Sequence, residues 1–328
     1  MFTKLCIEIT TYCNAACPSC EREDLKKHEI IHMQDNVWDS IVENVDDVTY
    51  IMFNGTYGDF SMHPKAIDFL HKLADRNPNM CIDIHTNGGA RNELFWTRLA
   101  DACNRFDEHT VHFAFDGMED TNHLYRRNVI WERLVRNAKA FNNAGGYGVM
   151  RMIVFDHNYH QIDKNKKLAQ ELNFSKFELN RAIQIIEVLN DNTEVICKCS
   201  KSLEEIKNLA DTKNENFKPN SYVSYKKVTG DSSSFCPWKQ FGEVQIQSDG
   251  IVWPCCHWPG RMSDHSKNKK NNNIPSIIGP FLQSLNIVNN SLTDIYYSQF
   301  SKELENVIRD KKEPECVKCK ADNYFHGN

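Results

Sequence analysis

Residues 5–180 change hydrophobic period again and again, and this switching limits the possible folds more than any other feature. Short runs rich in β-branched and aromatic residues fall at 5–10, 48–53, 81–85, 110–115, 149–155 and 176–180. Segments of helical period separate them at 36–45, 65–76, 92–106, 129–143 and 161–172. In the fourth of these Ile130, Leu134, Val135, Ala138 and Phe141 recur at helical spacing. Asn87-Gly88-Gly89 and Gly145-Gly146 supply turn chemistry between elements. Parallel neighbours need a helical crossover, so repeated strand–helix alternation predicts an α/β fold on a parallel sheet. Six strands are too few for a closed eightfold barrel, and an open, partial barrel is expected.

The strands carry a second pattern. Leu5, Ile7 and Ile9 alternate with Glu8 and Thr10; Ile82 and Ile84 with Asp83 and His85; Val111, Phe113 and Phe115 with His112 and Asp116. Arg151 lies among Met150, Met152 and Val154, and Glu178 and Asn180 flank Leu179. Central parallel strands usually read as continuous apolar runs. Here helices are expected to cover an apolar face while the polar face lines a cavity for a polar, hydrogen-bonding substrate. The competing reading is a partly solvated sheet whose charges pair with one another.

The 328 residues are enough for one large domain and a smaller one. No apolar run approaches the roughly 18 residues of a membrane span, and a net charge of −5 without a basic stripe gives no sign of nucleic-acid binding. MFTKLCIEIT has neither the apolar core nor the cleavage site of a signal peptide, which predicts a cytoplasmic protein. Residues 1–190 read as the barrel. Residues 191–234 turn polar and punctuated, a linker or crossing segment, with one helix expected at 203–210. Residues 235–328 read as a second module: a β-hairpin turning at Ser248-Asp249-Gly250, a polar loop, then a helix near 298–309.

Thirteen cysteines in a chain expected in the cytosol point to metal or redox chemistry. Cys6, Cys81 and Cys103 sit singly in apolar surroundings and read as small buried hydrophobes. Cys197 and Cys199 form a Cys-Lys-Cys pair with no assigned role. Cys13, Cys17 and Cys20 follow the first strand with gaps of three and two residues. Three thiolates leave one iron of a 4Fe–4S cubane open to another ligand. Zinc would need a fourth ligand, for which His28 and His32 are near in sequence. A second set, Cys236, Cys255, Cys316 and Cys319, offers four thiolates, with Cys256 as the rival of Cys255; a four-cysteine zinc site is the alternative.

CxxxCxxC after a first strand resembles the signature of the radical S-adenosylmethionine (SAM) enzymes. FNGTYGDF (53–60), HTNGG (85–89) and FAFDG (113–117) resemble that family's motifs after strands two, three and four, in order; HLYRR (123–127) and VFDHN (154–158) are similar to one branch of it. Ser19 stands where relatives often carry an aromatic residue. The resemblance implies a partial (β/α)6 barrel, with Cys13, Cys17 and Cys20 holding a 4Fe–4S cluster whose open iron takes SAM. Gly55, Tyr57, Gly58, Asp59, Asn87 and Asp116 are the implied SAM contacts. The later cysteines resemble the twitch domain, a short relative of the SPASM domain, implying one auxiliary 4Fe–4S cluster on Cys236, Cys255, Cys316 and Cys319. A similar single-cluster pattern occurs in deoxy-scyllo-inosamine dehydrogenases, which oxidise an aminocyclitol alcohol.

The activity implied by the resemblance is that of a radical SAM oxidoreductase. It would remove hydrogen from a sugar, cyclitol or nucleoside-like molecule and pass an electron to the auxiliary cluster. A donor such as flavodoxin or ferredoxin would supply reducing equivalents. His85, Arg126, Arg151, Glu178 and Arg181 are candidates to bind that substrate or take its proton. Two alternatives stand beside it. One is a peptide-modifying radical SAM enzyme, whose usual docking domain ahead of the barrel is not expected because the strand pattern starts at Lys4. The other is a zinc-stabilised binding module.

Overall fold

The computed structural model describes residues 1–18, 20, 22, 29–181, 186–190, 193–197, 199–200, 205, 238, 242–255 and 278–310; for 181, 186–190, 193–197, 305 and 307–310 this is backbone alone. Six strands run parallel in sequence order: β1 (Lys4–Ile7), β2 (Tyr50–Phe53), β3 (Cys81–Thr86), β4 (Glu108–Ala114), β5 (Gly148–Val154) and β6 (Lys176–Arg181). The crossovers carry α1 (Asp35–Glu43), α2 (Ala66–Arg76), α3 (Glu93–Cys103), the short α4 (Asn122–Tyr125), α5 (Trp131–Asn143) and α6 (Ile162–Glu171). This is the expected open barrel. Among these crossover helices only α4 lacks a counterpart in the sequence analysis, because four residues are too few to show a helical period.

The helices bury one stripe each against the outer face of the sheet. Phe69, Leu70, Leu73 and Ala74 do so on α2, and Trp96, Leu99, Ala100 and Cys103 on α3, whose first turn is capped by the Asn92 side chain accepting from Phe95 N–H. Trp38 stacks on Phe69 at 4.2 Å, and Phe113 meets Trp96, Phe141 and Phe174 at centroid distances of 5.1–5.7 Å. Burying each such ring contributes about 1.5–3 kcal/mol. Asn137 on α5 donates to the carbonyls of Gly88 and Ala90, fixing the turn after β3. Cys6 and Cys103 are buried as expected, while Cys81 is half-buried.

The sheet continues past the barrel's first strand. β9 (Glu243–Ile246) pairs parallel with β1, and β10 (Val252–Trp253) pairs antiparallel with β9, giving the order β10-β9-β1-β2-β3-β4-β5-β6. The hairpin read from the sequence as part of a second module is therefore the edge of the barrel sheet. Trp238, Ile246 and Val252, with Leu292 and Ile295 of α7 (Leu292–Tyr296) and Phe300 and Leu304 of α8 (Gln299–Asp310), belong to the same core as Phe2 and Leu5. Phe2 packs edge-on to Trp238 at 4.5 Å. A separate antiparallel pair, β7 (Ile186–Asn190) and β8 (Thr193–Cys197), starts before residue 191, where the sequence reading placed the linker. The helix expected at 203–210 lies outside the described residues apart from Glu205.

Candidate functional site

A cavity of about 340 Å³ opens at the carboxyl ends of β1–β5, the end at which parallel sheets bind ligands. Its rim is made by the cysteine loop after β1, the loop after β2 and the turn after β3; its floor is the polar face of the strands.

Cys13, Cys17 and Cys20 all line the cavity. Each sulfur receives an N–H group from a different side chain: Asn87 Nδ2 to Cys13 at 3.5 Å, an Arg126 terminal nitrogen to Cys17 at 3.6 Å, and Arg22 Nε to Cys20 at 3.3 Å. The other Arg22 nitrogens donate to the carbonyls of Cys13 (3.1 Å) and Ala15 (2.6 Å), closing the loop on itself. Burial, aided by Asp59, pushes the Cys13 thiol up to about 12, and burial raises Cys17 against the pull of Arg126. A bound electrophile would favour at Cys13 and Cys17 the anionic sulfur that burial opposes. Three soft ligands sharing one cavity, each facing an N–H donor, fit an iron–sulfur cluster. His32 does not line the cavity; its Nδ1 lies 2.8 Å from Thr10 Oγ1 and its ring packs edge-on to His63. His28 and Ser19 lie outside the described residues.

The loop after β2 is held from beneath by Glu8, which the sequence reading placed only on a strand face. Glu8 Oε1 accepts from the backbone N–H groups of Tyr57 (2.6 Å) and Gly58 (2.9 Å). Burial raises this carboxyl to about 7, although those two hydrogen bonds pull the other way. Backbone approaches are too close for any side chain: a Cβ on Gly58 would lie 1.7 Å from Thr10 O, and one on Gly55 2.1 Å from Gly58 O. Asp59 joins this loop to β3. Its Oδ1 accepts from Ser61 and Thr86, and its Oδ2 from the backbone and side chain of Asn87 at 2.8 and 2.7 Å. Asp116 is likewise anchored, by Arg126 Nε (2.6 Å) and Ile153 N–H (2.6 Å). Gly55, Tyr57, Gly58, Asp59, Asn87 and Asp116 thus all line one cavity with the three cysteines.

The floor is a paired network. Arg151 bonds Glu178 Oε2 at 3.1 and 3.3 Å and donates to His85 Nδ1 at 3.1 Å. Asp83 Oδ1 lies 3.1 Å from His85 Nε2 and 3.3 Å from His112 Nε2, and its Oδ2 accepts from Tyr50 OH at 2.9 Å. His112 Nδ1 is 3.8 Å from Glu178. The convergence of Asp83, His85 and His112 has the spacing of a cation site, but Arg151 argues against one. Its N–H occupies the lone pair of His85 Nδ1, so the ring proton sits on Nε2, facing Asp83. Burial, with Arg151 adding to it, lowers His85 to about 4 and keeps it neutral. Burial favours the neutral form of Asp83, yet the neighbouring His112 and His85 rings hold its carboxyl well below the usual range. Burial opposes ionisation of Glu178 too, and Arg151 with Lys176 outweighs it.

Of the five substrate candidates, His85, Arg151 and Glu178 meet in this floor. Arg126 sits at the rim between Asp116 and Cys17, over the Tyr125 ring at 5.2 Å. Arg181 ends β6, and its side chain is outside the described residues. Asp83 and His112 join the floor although neither was singled out from the sequence; their signal was the same polar alternation that marked His85. Arg22 carried no sequence signal. Cys255 follows β10 and packs half-buried against the core, while Cys236, Cys256, Cys316 and Cys319 lie outside the described residues.

Compared with known families, residues 7–169 match the radical SAM superfamily and residues 236–320 match SPASM, an iron–sulfur cluster-binding domain. The chain belongs to the radical SAM superfamily. It is a radical SAM enzyme of the SPASM/twitch branch. Its radical SAM domain implies SAM and a 4Fe–4S cluster, and its SPASM domain implies additional iron–sulfur clusters; the zinc-module alternative is set aside. No curated protein matches the sequence. Among solved structures, Streptococcus suis SuiB bound to S-adenosylmethionine is similar with a TM-score of 0.60 and 16% identity over 94% of this chain and 68% of SuiB. SuiB bound to precursor peptide SuiA gives 0.60 and 16% over 94% and 67%. Native anSMEcpe with bound AdoMet gives 0.58 and 19% over 92% of this chain and 82% of that one. At these identities the likeness establishes the radical SAM fold. Among the described residues no helix is long and apolar enough to cross a membrane.

Proposed function

We propose that this enzyme oxidises a polar small molecule, a sugar, cyclitol or nucleoside-like compound, by two electrons. The observation that carries the reading is the floor: His85, His112, Arg151 and Asn180 present charged and hydrogen-bonding groups to a cavity whose rim holds three cysteines. Cys13, Cys17 and Cys20 would hold a 4Fe–4S cluster that with SAM would supply hydrogen-atom abstraction, and Cys236, Cys255, Cys316 and Cys319 would hold an auxiliary cluster able to take the second electron.

The chain's own residues orient and deprotonate. Glu8 and Asp59 set the loop at 54–59 and the side chain of Asn87, so that Gly55, Tyr57, Gly58 and Asn87 face the SAM end of the cavity. Asp116 acts from its anchored position beside Arg126. At the floor Arg151, held by Glu178, offers N–H groups to substrate oxygens. The departing proton passes to the histidines of the floor, where His112 lies beside the carboxylates of Asp83 and Glu178 and His85 beside Arg151. Reducing equivalents come from a flavodoxin- or ferredoxin-type donor.

A peptide substrate is the second reading, raised by the likeness to SuiB bound to its precursor peptide. The test is to incubate reconstituted enzyme and SAM with fractions of a deuterated metabolite extract and to measure deuterium in 5′-deoxyadenosine. Label transferred from polar small-molecule fractions is the expected result. Transfer from peptide fractions alone would overturn the substrate class.

A further inference from the structure

We infer that Arg22 sets the reduction potential of the radical-generating cluster, acting through Cys20. The inference rests on Cys13, Cys17 and Cys20 being its ligands. Arg22 is 8% exposed, and its guanidinium divides its work. Nε donates to Cys20 Sγ at 3.3 Å, while the two terminal nitrogens are fixed on the carbonyls of Cys13 and Ala15. The carbonyl bonds hold the fork in one orientation, so the Nε–H stays aimed at the sulfur.

The other two sulfurs have donors of a different kind. Arg126 reaches Cys17, but Asp116 lies 2.6 Å from its Nε and offsets its charge. Asn87 reaches Cys13 as a neutral amide. Arg22 therefore combines a directed N–H with a positive charge at the sulfur itself. Both favour the more negative, reduced state of a thiolate-ligated cluster, and hydrogen bonds to sulfur and net charge are among the main determinants of cluster potential. Removing Arg22 makes the cluster harder to reduce. Arg22 is a positioning and tuning residue here; no contact with substrate or SAM is required of it.

The test is an EPR-monitored redox titration of the reconstituted full chain, following the reduced-cluster signal that SAM perturbs. Arg22→Gln is expected to shift the reduction equilibrium at least about tenfold towards the oxidised state, about 59 mV downward for one electron. Arg22→Lys keeps the charge but cannot fork onto both carbonyls, and is expected to fall between. Arg136→Gln, on the exposed face of α5, is expected to leave the potential unchanged. An unchanged potential in an Arg22→Gln protein with full iron content would overturn the inference. So would an Arg22→Gln or Arg22→Lys protein that loads poorly while its loaded fraction titrates as the parent does, since that is the mark of a loop anchor. If Cys13→Ser, Cys17→Ser and Cys20→Ser proteins all retain the SAM-perturbed signal, the ligand reading fails instead, which separates the two ideas.

Discussion

The rim and the floor of the cavity use polar groups in opposite ways. At the rim, Asn87, Arg126 and Arg22 converge on three sulfur atoms. At the floor, Arg151, Glu178, His85, Asp83 and His112 lie against one another, Arg151 hydrogen-bonded to Glu178 and His85, and Asp83 within 3.3 Å of both histidines. A rim built this way is shaped for a group that brings its own charge and reactivity. A self-paired floor is shaped to stay in place while a substrate of modest charge comes and goes. The sequence reading offered a polar face lining a cavity and a polar face paired with itself as rivals. The molecule does both, because His85, His112 and Arg151 of the paired network line the cavity.

The sharpest way to break the comparison is at the rim. Cys13→Ser, Cys17→Ser or Cys20→Ser is expected to lower iron from about eight to about four atoms per chain and to abolish SAM cleavage, read as 5′-deoxyadenosine. Cys255→Ser is expected to lose a similar amount of iron while SAM cleavage survives and substrate oxidation does not. Loss of SAM cleavage in both would mean the two cysteine sets are not divided as proposed.

A smaller effect is expected at the floor. Arg151→Met leaves Glu178 with Lys176 alone as its cation and His85 Nδ1 without its donor, and a half-buried charged hydrogen bond contributes about 1.5–3 kcal/mol. The kcat/KM for substrate should fall roughly 10- to 100-fold at that magnitude, with iron content and SAM cleavage without substrate unchanged. A parallel loss of SAM cleavage would show that floor and rim are one unit.

An effect on stability alone, without loss of activity, distinguishes the support under the rim. Folded Glu8 titrates near 7 instead of near 4.5. Between those values the folded chain holds a proton that the unfolded chain has released. Stability is therefore full below about 4.5, falls as pH rises, and has lost the whole contribution above about 7. Glu8→Gln keeps an oxygen acceptor for Tyr57 and Gly58 and removes the titration. Its stability relative to the parent should rise across that window, by about 3 kcal/mol at most, as read from urea unfolding at several pH values. A pH-independent difference would show that Glu8 is not the buried acid described.

Several features were legible because they are periodic or local. Strand–helix alternation, the apolar and polar strand faces and the CxxxCxxC spacing are set by residues within one or two turns of each other. The β7–β8 pair was legible too and was missed: two β-rich runs are separated only by Asp191-Asn192, a hairpin signal, and Asn190 does pair with Thr193. By itself, then, the sequence determined the α/β class, the order of the six barrel strands, the cysteine loop and the family they announce.

Only the tertiary structure decided what depends on residues far apart in the chain. β9 joins β1 across more than two hundred residues, making the module boundary an edge of one sheet. Glu8 reaches the loop at 57–58, and Arg126 reaches Cys17 from beyond β4. Asp83 and His112 become a buried pair only because β3 and β4 lie side by side in one register. The physical reason is common to all of these. Backbone period and turn chemistry are encoded by near neighbours, whereas the charge of a carboxyl, the tautomer of a histidine and the donor facing a sulfur are fixed by whatever the fold brings within about 3–4 Å.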